Sequence, residues 1–346
     1  MKVGIVGASG YTGLELLRIL ANRPGTEVAF VTSRQDAGTP LTAFFPALAG
    51  YPQYDALKME KPENLAGRAD FIFMAAQHCV AMNMVPDLLE SGVRVIDLSA
   101  DFRLKSPELF KHWYEDHKAP QLLPEAVYGL PEIYRQDIPR ARLVANPGCY
   151  PTSIILALAP LLKNGLVNLE RPLIADSKSG VTGAGRGLAR SNTFCEVQEN
   201  FKAYKVVGHR HTPEIVQELS NLAEHPVSLS FTPHLLPINR GILSTIYLTL
   251  AQPMPYNTLT AIYKDFYAQD PYVRIRPQDY VPETADVRGT NFCDIGLFPD
   301  SAAGLWKIVS VIDNICRGAS GQAVANLNLM SGQPEDLGLT SLALRP

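Results

Sequence analysis

Val3-Gly4-Ile5-Val6-Gly7-Ala8-Ser9-Gly10-Tyr11-Thr12-Gly13-Leu14-Glu15-Leu16-Leu17-Arg18-Ile19-Leu20 lies at the start of the chain. Its reading decides the fold. Residues 1–6 are a short apolar strand. Three glycines follow at GxxGxxG spacing, and residues 14–20 then read as a helix that Pro24-Gly25 ends. Val28-Ala29-Phe30-Val31-Thr32 makes a second strand. Strand, glycine turn, helix and strand form a βαβ unit. The glycines allow a close backbone approach, and the free N–H groups of the helix N-terminus attract a pyrophosphate. The first third therefore reads as a dinucleotide-binding domain.

The end of the second strand selects the dinucleotide. An acidic residue there would meet a ribose 2′-hydroxyl. This chain has Ser33-Arg34, and Arg34 either pairs with a 2′-phosphate or is a solvated surface arginine. Residues 69–76 are a buried strand with Gln77-His78 just beyond its C-terminal edge, and residues 93–99 form the next strand. The aromatic, proline-containing stretch 105–134 reads as a long loop with short helices.

A second stretch carries the chemistry: Ala145-Asn146-Pro147-Gly148-Cys149-Tyr150-Pro151-Thr152. An apolar strand (141–145) precedes it and an apolar helical run (153–162) follows. The turn thus sets a thiol at a helix N-terminus, where unpaired N–H groups favour the thiolate, the nucleophilic form.

Composition restricts the remaining possibilities. The 346 residues suffice for two domains, with 46% hydrophobic and 19% charged residues. A net charge of −3 without a basic run argues against nucleic acid as a partner. The five cysteines (Cys79, Cys149, Cys195, Cys293, Cys316) form no CxxC pair, so neither a zinc site nor a disulfide framework is expected. No apolar run reaches the roughly 18 residues of a membrane span. The opening residues lack a basic segment ahead of an apolar one. The expectation is a cytoplasmic protein without metal.

Pro172-Leu173-Ile174-Ala175-Asp176 reads as a strand, and Ser177–Arg186 as a flexible Gly/Ser segment whose two cations suit an anion. In His209-Arg210-His211-Thr212-Pro213-Glu214, Thr212 reads as a helix N-cap, with Pro213 at the first helical position. Two histidines around an arginine suit a general acid/base beside an anion-binding cation. Residues 227–237 and 241–250 alternate as strands, 258–268 reads as a helix, and strands near 273–275, 292–297 and 305–312 follow. Residues 313–330 read as a loop entering a helix.

These motifs, with Asp97-Leu98-Ser99-Ala100-Asp101-Phe102-Arg103, Tyr128-Gly129-Leu130-Pro131-Glu132, Pro233-His234-Leu235-Leu236-Pro237 and Gly318–Asn328, resemble the N-acetyl-γ-glutamyl-phosphate reductase family in its longer form. They run in order through nearly the whole chain. Two positions depart from the family pattern: Gln77-His78-Cys79 stands where Pro-His-Gly is usual, and Arg317-Gly318 where Lys-Gly is.

The resemblance implies an α/β chain with two domains. One is a Rossmann domain holding NADPH (1–148, completed by 314–346). The other is a dehydrogenase-type α+β catalytic and oligomerisation domain with a mixed sheet (149–313). It implies Cys149 as nucleophile toward an acyl phosphate and His209 or His211 as acid/base, with His209 favoured and Glu214 as its orienting partner. Cofactor contacts are implied for Gly7, Ser9, Gly10, Tyr11, Thr12, Gly13, Ser33, Arg34, Ser179, Gly180, Gly183 and Asn314. Arg103, Lys178, Arg186 and Arg210 are candidates for the substrate's anionic groups. A homo-oligomer, dimer or tetramer, is expected. The alternative is a relative acting on a longer acyl phosphate of a lysine pathway.

Overall fold

The computed structural model describes residues 1–345. The chain divides into two compact units. One comprises residues 1–147 with 319–341. The other comprises 148–318, joined by the residues from Leu342 on. The expected division placed the return to the first unit at residue 314 and the whole C-terminus within it.

The first unit is built on a seven-stranded sheet of order β3-β2-β1-β4-β5-β7-β6. Its strands are β1 (Lys2–Val6), β2 (Glu27–Thr32), β3 (Met59–Glu60), β4 (Phe71–Met74), β5 (Arg94–Asp97), β6 (Val127–Tyr128) and β7 (Leu143–Ala145). Every pairing is parallel. Parallel sheets are covered on both faces, and Phe71–Met74 is accordingly buried along its whole length. Strand order reverses at β1, with β2 on one side and β4 on the other. The C-terminal ends of β1 and β4 therefore border the crevice where such sheets bind ligands. The helix Tyr11–Leu20 starts at this edge, and the helix Gly321–Met330 belongs to the same unit.

The second unit carries a mixed sheet of order β12-β13-β14-β11-β8-β10-β9. The strands are β8 (Leu173–Gly180), β9 (Lys202–Ala203), β10 (Leu229–Leu236), β11 (Ile242–Leu248), β12 (Val273–Ile275), β13 (Cys293–Asp300) and β14 (Leu305–Ile312). Burial alternates along β10 and β11, as it does when one sheet face is packed and the other is open. The packed face receives the helices Cys149–Lys163, Thr212–Ala223 and Tyr256–Phe266.

Three local boundaries differ from the sequence expectation. The cysteine helix begins at Cys149, not at Ser153, because Gly148 takes the extended N-cap conformation (φ −70°, ψ 159°). Ser177–Gly180 continues β8 rather than forming a loop, since its backbone pairs with both β10 and β11. Thr212 is the first helical residue, and His211 occupies the cap position.

Pro160 lies inside the cysteine helix and has no N–H, so the Leu156 carbonyl loses its intrahelical donor. The Tyr267 hydroxyl donates to that carbonyl at 2.5 Å, and Tyr263 donates to Ala157 O at 2.6 Å. Two tyrosines at and just beyond the end of the helix Tyr256–Phe266 thus satisfy a helix that its own proline interrupts.

Candidate active site

In the first unit, Gly7 follows β1 with φ +83°, a conformation that L side chains rarely adopt. A Cβ at Gly7 would lie 2.7 Å from Ala75 O, and one at Gly13 would lie 2.2 Å from Ala8 O. The turn is therefore tight and the helix packs directly on the strand end. Gly10, the N-cap, makes no side-chain cap, and a Cβ there would meet nothing nearer than 3.8 Å. The first turn of this helix carries no acidic side chain, so its N-terminus suits an anion such as the pyrophosphate of a dinucleotide. The Ser33 hydroxyl lies 3.2 Å from that of Ser9 and donates to Asp36 at 2.7 Å, while Arg34 is exposed beside them. Gly7, Ser9, Gly10, Tyr11, Thr12, Gly13, Ser33 and Arg34 are thus gathered at one sheet edge.

Arg103 is buried in the same unit. Its guanidinium donates to Asn146 O at 2.8 Å and to Leu98 O at 2.8 Å, fastening the chain beyond β5 to that beyond β7. Asp97 is fully buried nearby and accepts from the Ser99 N–H and hydroxyl. Burial, and then the neighbouring Asp101, push its carboxyl up to about 7.

The second unit places Cys149 as the first residue of its helix, partly exposed, behind the Gly148 cap. The Gly148 N–H donates to the Glu214 carboxylate at 2.8 Å. Gly318 closes the other side: a Cβ there would lie 2.6 Å from Cys149 Cβ. Asp313 holds the chain that brings Gly318 in. It accepts from the Ile315 and Cys316 N–H groups at 2.8 and 2.9 Å and from Gly289 N–H at 2.7 Å.

Around the thiol stand aromatic rings. Tyr150 and Tyr204 hydroxyls are 3.0 Å apart, and both feel the negative charge that Cys149 carries when ionised. Burial dominates both, raising Tyr150 and pushing Tyr204 up to about 12, so the pair stays protonated. The rings of His209 and His211 lie 5.6 and 5.9 Å from that of Tyr150. His209 is buried and its Nδ1 accepts the His211 N–H at 3.1 Å. Burial, then Lys205 and Arg210, lower it to about 4. His211 is partly exposed. Tyr150 and Tyr204 have no role assigned from sequence; Tyr150 stands inside the cysteine motif, and only its meeting with Tyr204 across 54 residues draws attention to the pair.

Ser179, Gly180, Gly183 and Asn314 come together as expected of neighbours. Asn314 accepts from Gly241 N–H at 2.8 Å and donates to Thr182 Oγ1 at 3.0 Å, and Gly183 lies against Asn314 and Ser179. Lys178 is a different case. Strand alternation sends it to the face opposite Ser177 and Ser179, where its ammonium pairs with Asp176 at 2.9 Å and His234 Nδ1 meets the same carboxylate at 3.1 Å. The sheet therefore separates Lys178 from the cysteine helix, contrary to its expected role as a substrate cation. Arg186 and Arg210 are exposed. Among the described residues no group of three His, Cys, Asp or Glu is arranged to hold a metal, and no helix is long and apolar enough to cross a membrane.

Comparison with known proteins identifies the family. Residues 2–141 match the family model "Semialdehyde dehydrogenase, NAD binding domain", and residues 149–314 match "Semialdehyde dehydrogenase, dimerisation domain". The chain is 54% identical to the N-acetyl-gamma-glutamyl-phosphate reductase of Geobacter sulfurreducens and 51% identical to that of Syntrophobacter fumaroxidans, in each case over 100% of both chains. Among solved structures it is similar to aspartate semialdehyde dehydrogenase II from Vibrio cholerae (TM-score 0.71, 17% identity, 96% of this chain and 98% of that one). It is also similar to the aspartate semialdehyde dehydrogenase with NADP from Candida albicans (TM-score 0.67, 15% identity, 95% and 98%). At these identities the structures speak for the fold. The full-length relatives and the two ordered domain models together place the chain in the N-acetyl-γ-glutamyl-phosphate reductase family of semialdehyde dehydrogenases.

Proposed function

We propose that the protein converts N-acetyl-γ-glutamyl phosphate to N-acetylglutamate 5-semialdehyde and phosphate, using NADPH, in arginine biosynthesis. The observation that carries this reading is Cys149 at the first helical position, capped by Gly148 and close to Tyr150 and Tyr204, with His209 and His211 against the Tyr150 ring. The Cys149 thiolate attacks the acyl carbon, the acyl C–O bond breaks, phosphate leaves, and a thioester remains on the sulfur. A reduced nicotinamide held by the glycine turn would supply a hydride to this thioester, and the histidine that later acts as base would protonate the resulting oxyanion to the thiohemiacetal. N–H groups of the cysteine helix's first turn stabilise the oxyanion. Collapse returns the thiolate and transfers the hydroxyl proton to a base.

We assign that base to His211 rather than His209. A histidine held near 4, with its Nδ1 committed to a backbone N–H, is neutral at working pH and gives up a proton too readily to cycle. Glu214 serves the cysteine turn through Gly148. Arg186 and Arg210, both exposed, are our candidates for the substrate's carboxylate and phosphate. Gly7–Gly13, Ser33 and Arg34 would hold the cofactor, Arg34 suiting a 2′-phosphate, and Ser179, Gly180, Gly183 and Asn314 are the second unit's candidates for cofactor contacts. The half-exposed face of the mixed sheet, with Ile174 and Tyr247, is where a second copy docks to form the oligomer. The enzyme works in the cytoplasm.

The test runs the reaction backwards. N-acetylglutamate semialdehyde, phosphate and NADP are supplied, and NADPH absorbance is followed with and without phosphate. Phosphate-dependent NADPH formation is expected, and its loss in Cys149→Ser with NADPH binding retained. Turnover by Cys149→Ser would remove the assignment. A signal only with a longer aldehyde would move the substrate to the lysine-type branch. Arg34→Ala is expected to raise KM for NADP more than for NAD.

A further inference from the structure

A row of buried hydroxyls lies under the cysteine helix. Ser177 on β8, Ser244 on β11 and Ser310 on β14 occupy one register row across three neighbouring strands. Ser153 reaches down from the helix onto that row. Its Oγ lies 3.0 Å from Ser244 Oγ and 3.1 Å from Ser310 Oγ, while Ser177 and Ser244 are 2.8 Å apart. Cys293 Sγ ends the chain, 3.5 Å from Ser310 Oγ. All four serines are 0% exposed.

Such a row is costly unless complete. A buried hydroxyl without a partner loses roughly 1–3 kcal/mol. Each hydroxyl has one proton to give and lone pairs to receive, so a chain donating in one direction satisfies every link. The links are directional, whereas the buried side chains Ile154, Leu156 and Leu158 of the same helix are apolar. Only one rotation and one axial position of the helix lets Ser153 meet both Ser244 and Ser310. Ser153 is four residues after Cys149, hence one turn further along the same helix face. Thr152 differs in using its hydroxyl on the helix itself, donating to Gly148 O at 2.9 Å.

We propose that Ser153, seated on Ser244 and Ser310, is a positioning residue for Cys149: the hydroxyl row indexes the cysteine helix on the sheet and so sets where the thiol stands. This rests on Cys149 as nucleophile. A displacement of about 1 Å in a reacting group can cost roughly 100-fold in rate, so a small shift at Ser153 is felt one turn away.

The experiment compares Ser153→Ala with the quadruple variant Ser153→Ala/Ser177→Ala/Ser244→Ala/Ser310→Ala in the full-length enzyme. The quadruple variant leaves no serine hydroxyl of the row orphaned, and replacing all partners of a buried network together restores much of the stability. Measured are Tm, kcat and KM in the reverse reaction, and the pH profile of Cys149 alkylation by iodoacetamide, resolved from the other cysteines by peptide mass spectrometry. Expected is a kcat loss of about tenfold or more in both variants with little change in KM. A displaced alkylation profile is expected too, persisting in the quadruple variant although its Tm recovers. If kcat returns with Tm, or the alkylation profile does not move, the row serves stability alone and the proposal fails. Turnover by Cys149→Ser would instead overturn the nucleophile assignment beneath it.

Discussion

The Glu214 carboxylate accepts a hydrogen bond from the Gly148 N–H at 2.8 Å. Gly148 caps the cysteine helix, and Glu214 lies in the first turn of the helix Thr212–Ala223. In a capping box the glutamate of the first turn reaches back to the cap of its own helix. Here it reaches the cap of another, 66 residues away. One buried carboxylate thus faces two positive helix ends and joins the cysteine turn to the segment that carries both histidines.

Glu214→Ala leaves the Gly148 N–H without its partner and is expected to cost about 1–3 kcal/mol, with a fall in kcat. Glu214→Gln keeps an acceptor and removes the charge. With less negative charge at the helix end, Cys149 ionises more readily, so its alkylation profile moves to lower pH. An unmoved profile in the Gln variant would mean that the charge has no influence on the thiol.

Gly318→Ala introduces a methyl 2.6 Å from Cys149 Cβ and 3.0 Å from its Cα. The backbone of one of the two segments must yield. Overpacking of this kind costs about 1–3 kcal/mol. The expected signature is kcat lowered by about 10–100-fold at nearly unchanged KM for NADP, because the displaced group is the nucleophile. Steady-state kinetics would contradict this if both parameters stayed at wild-type values.

The two histidines are separated by a pH profile. His209 is lowered to about 4 in the folded chain, against an ordinary value of about 6.5. Between these values the unfolded chain binds the extra proton, so stability falls as pH drops from about 6.5 toward 4. His209→Asn should flatten that acid limb in Tm while leaving the shape of kcat/KM against pH unchanged. His211→Asn should lower kcat by about 100-fold, the usual worth of an acid/base group, and remove the acid limb of the kinetic profile. A kinetic limb that follows His209 instead would reverse the two roles.

Asp97 gives the opposite slope. Its folded value, raised to about 7, exceeds the unfolded value of about 3.9, so the folded chain binds more protons across that window. Its contribution to stability is present at low pH and is lost as pH rises through about 7. Asp97→Asn keeps an acceptor for Ser99 and cannot ionise. Thermal melts at pH 5.5 and 8 should differ less in the variant than in the wild type; equal differences would show that Asp97 does not titrate in this window.

Local chemistry made much of this protein readable from its chain. Gly7 and Gly13 announce the first βαβ unit because a tight turn and a close helix each exclude a side chain, and these demands act within seven residues. The Pro-Gly-Cys turn likewise puts Cys149 at a helix start whatever surrounds it. Tertiary structure decided which groups meet there. Glu214 meets the Gly148 N–H because the two helices pack against each other. Lys178 left the cysteine side because Ser177–Gly180 entered the sheet, and a period of two then fixed its face. His209 and His211, two residues apart and alike in type, differ because one ring is buried among Tyr150, Tyr204 and Phe231. Residue type and spacing are local properties, whereas burial and partners are set by chain segments tens of residues apart, and it is these that assign each group its charge and its role.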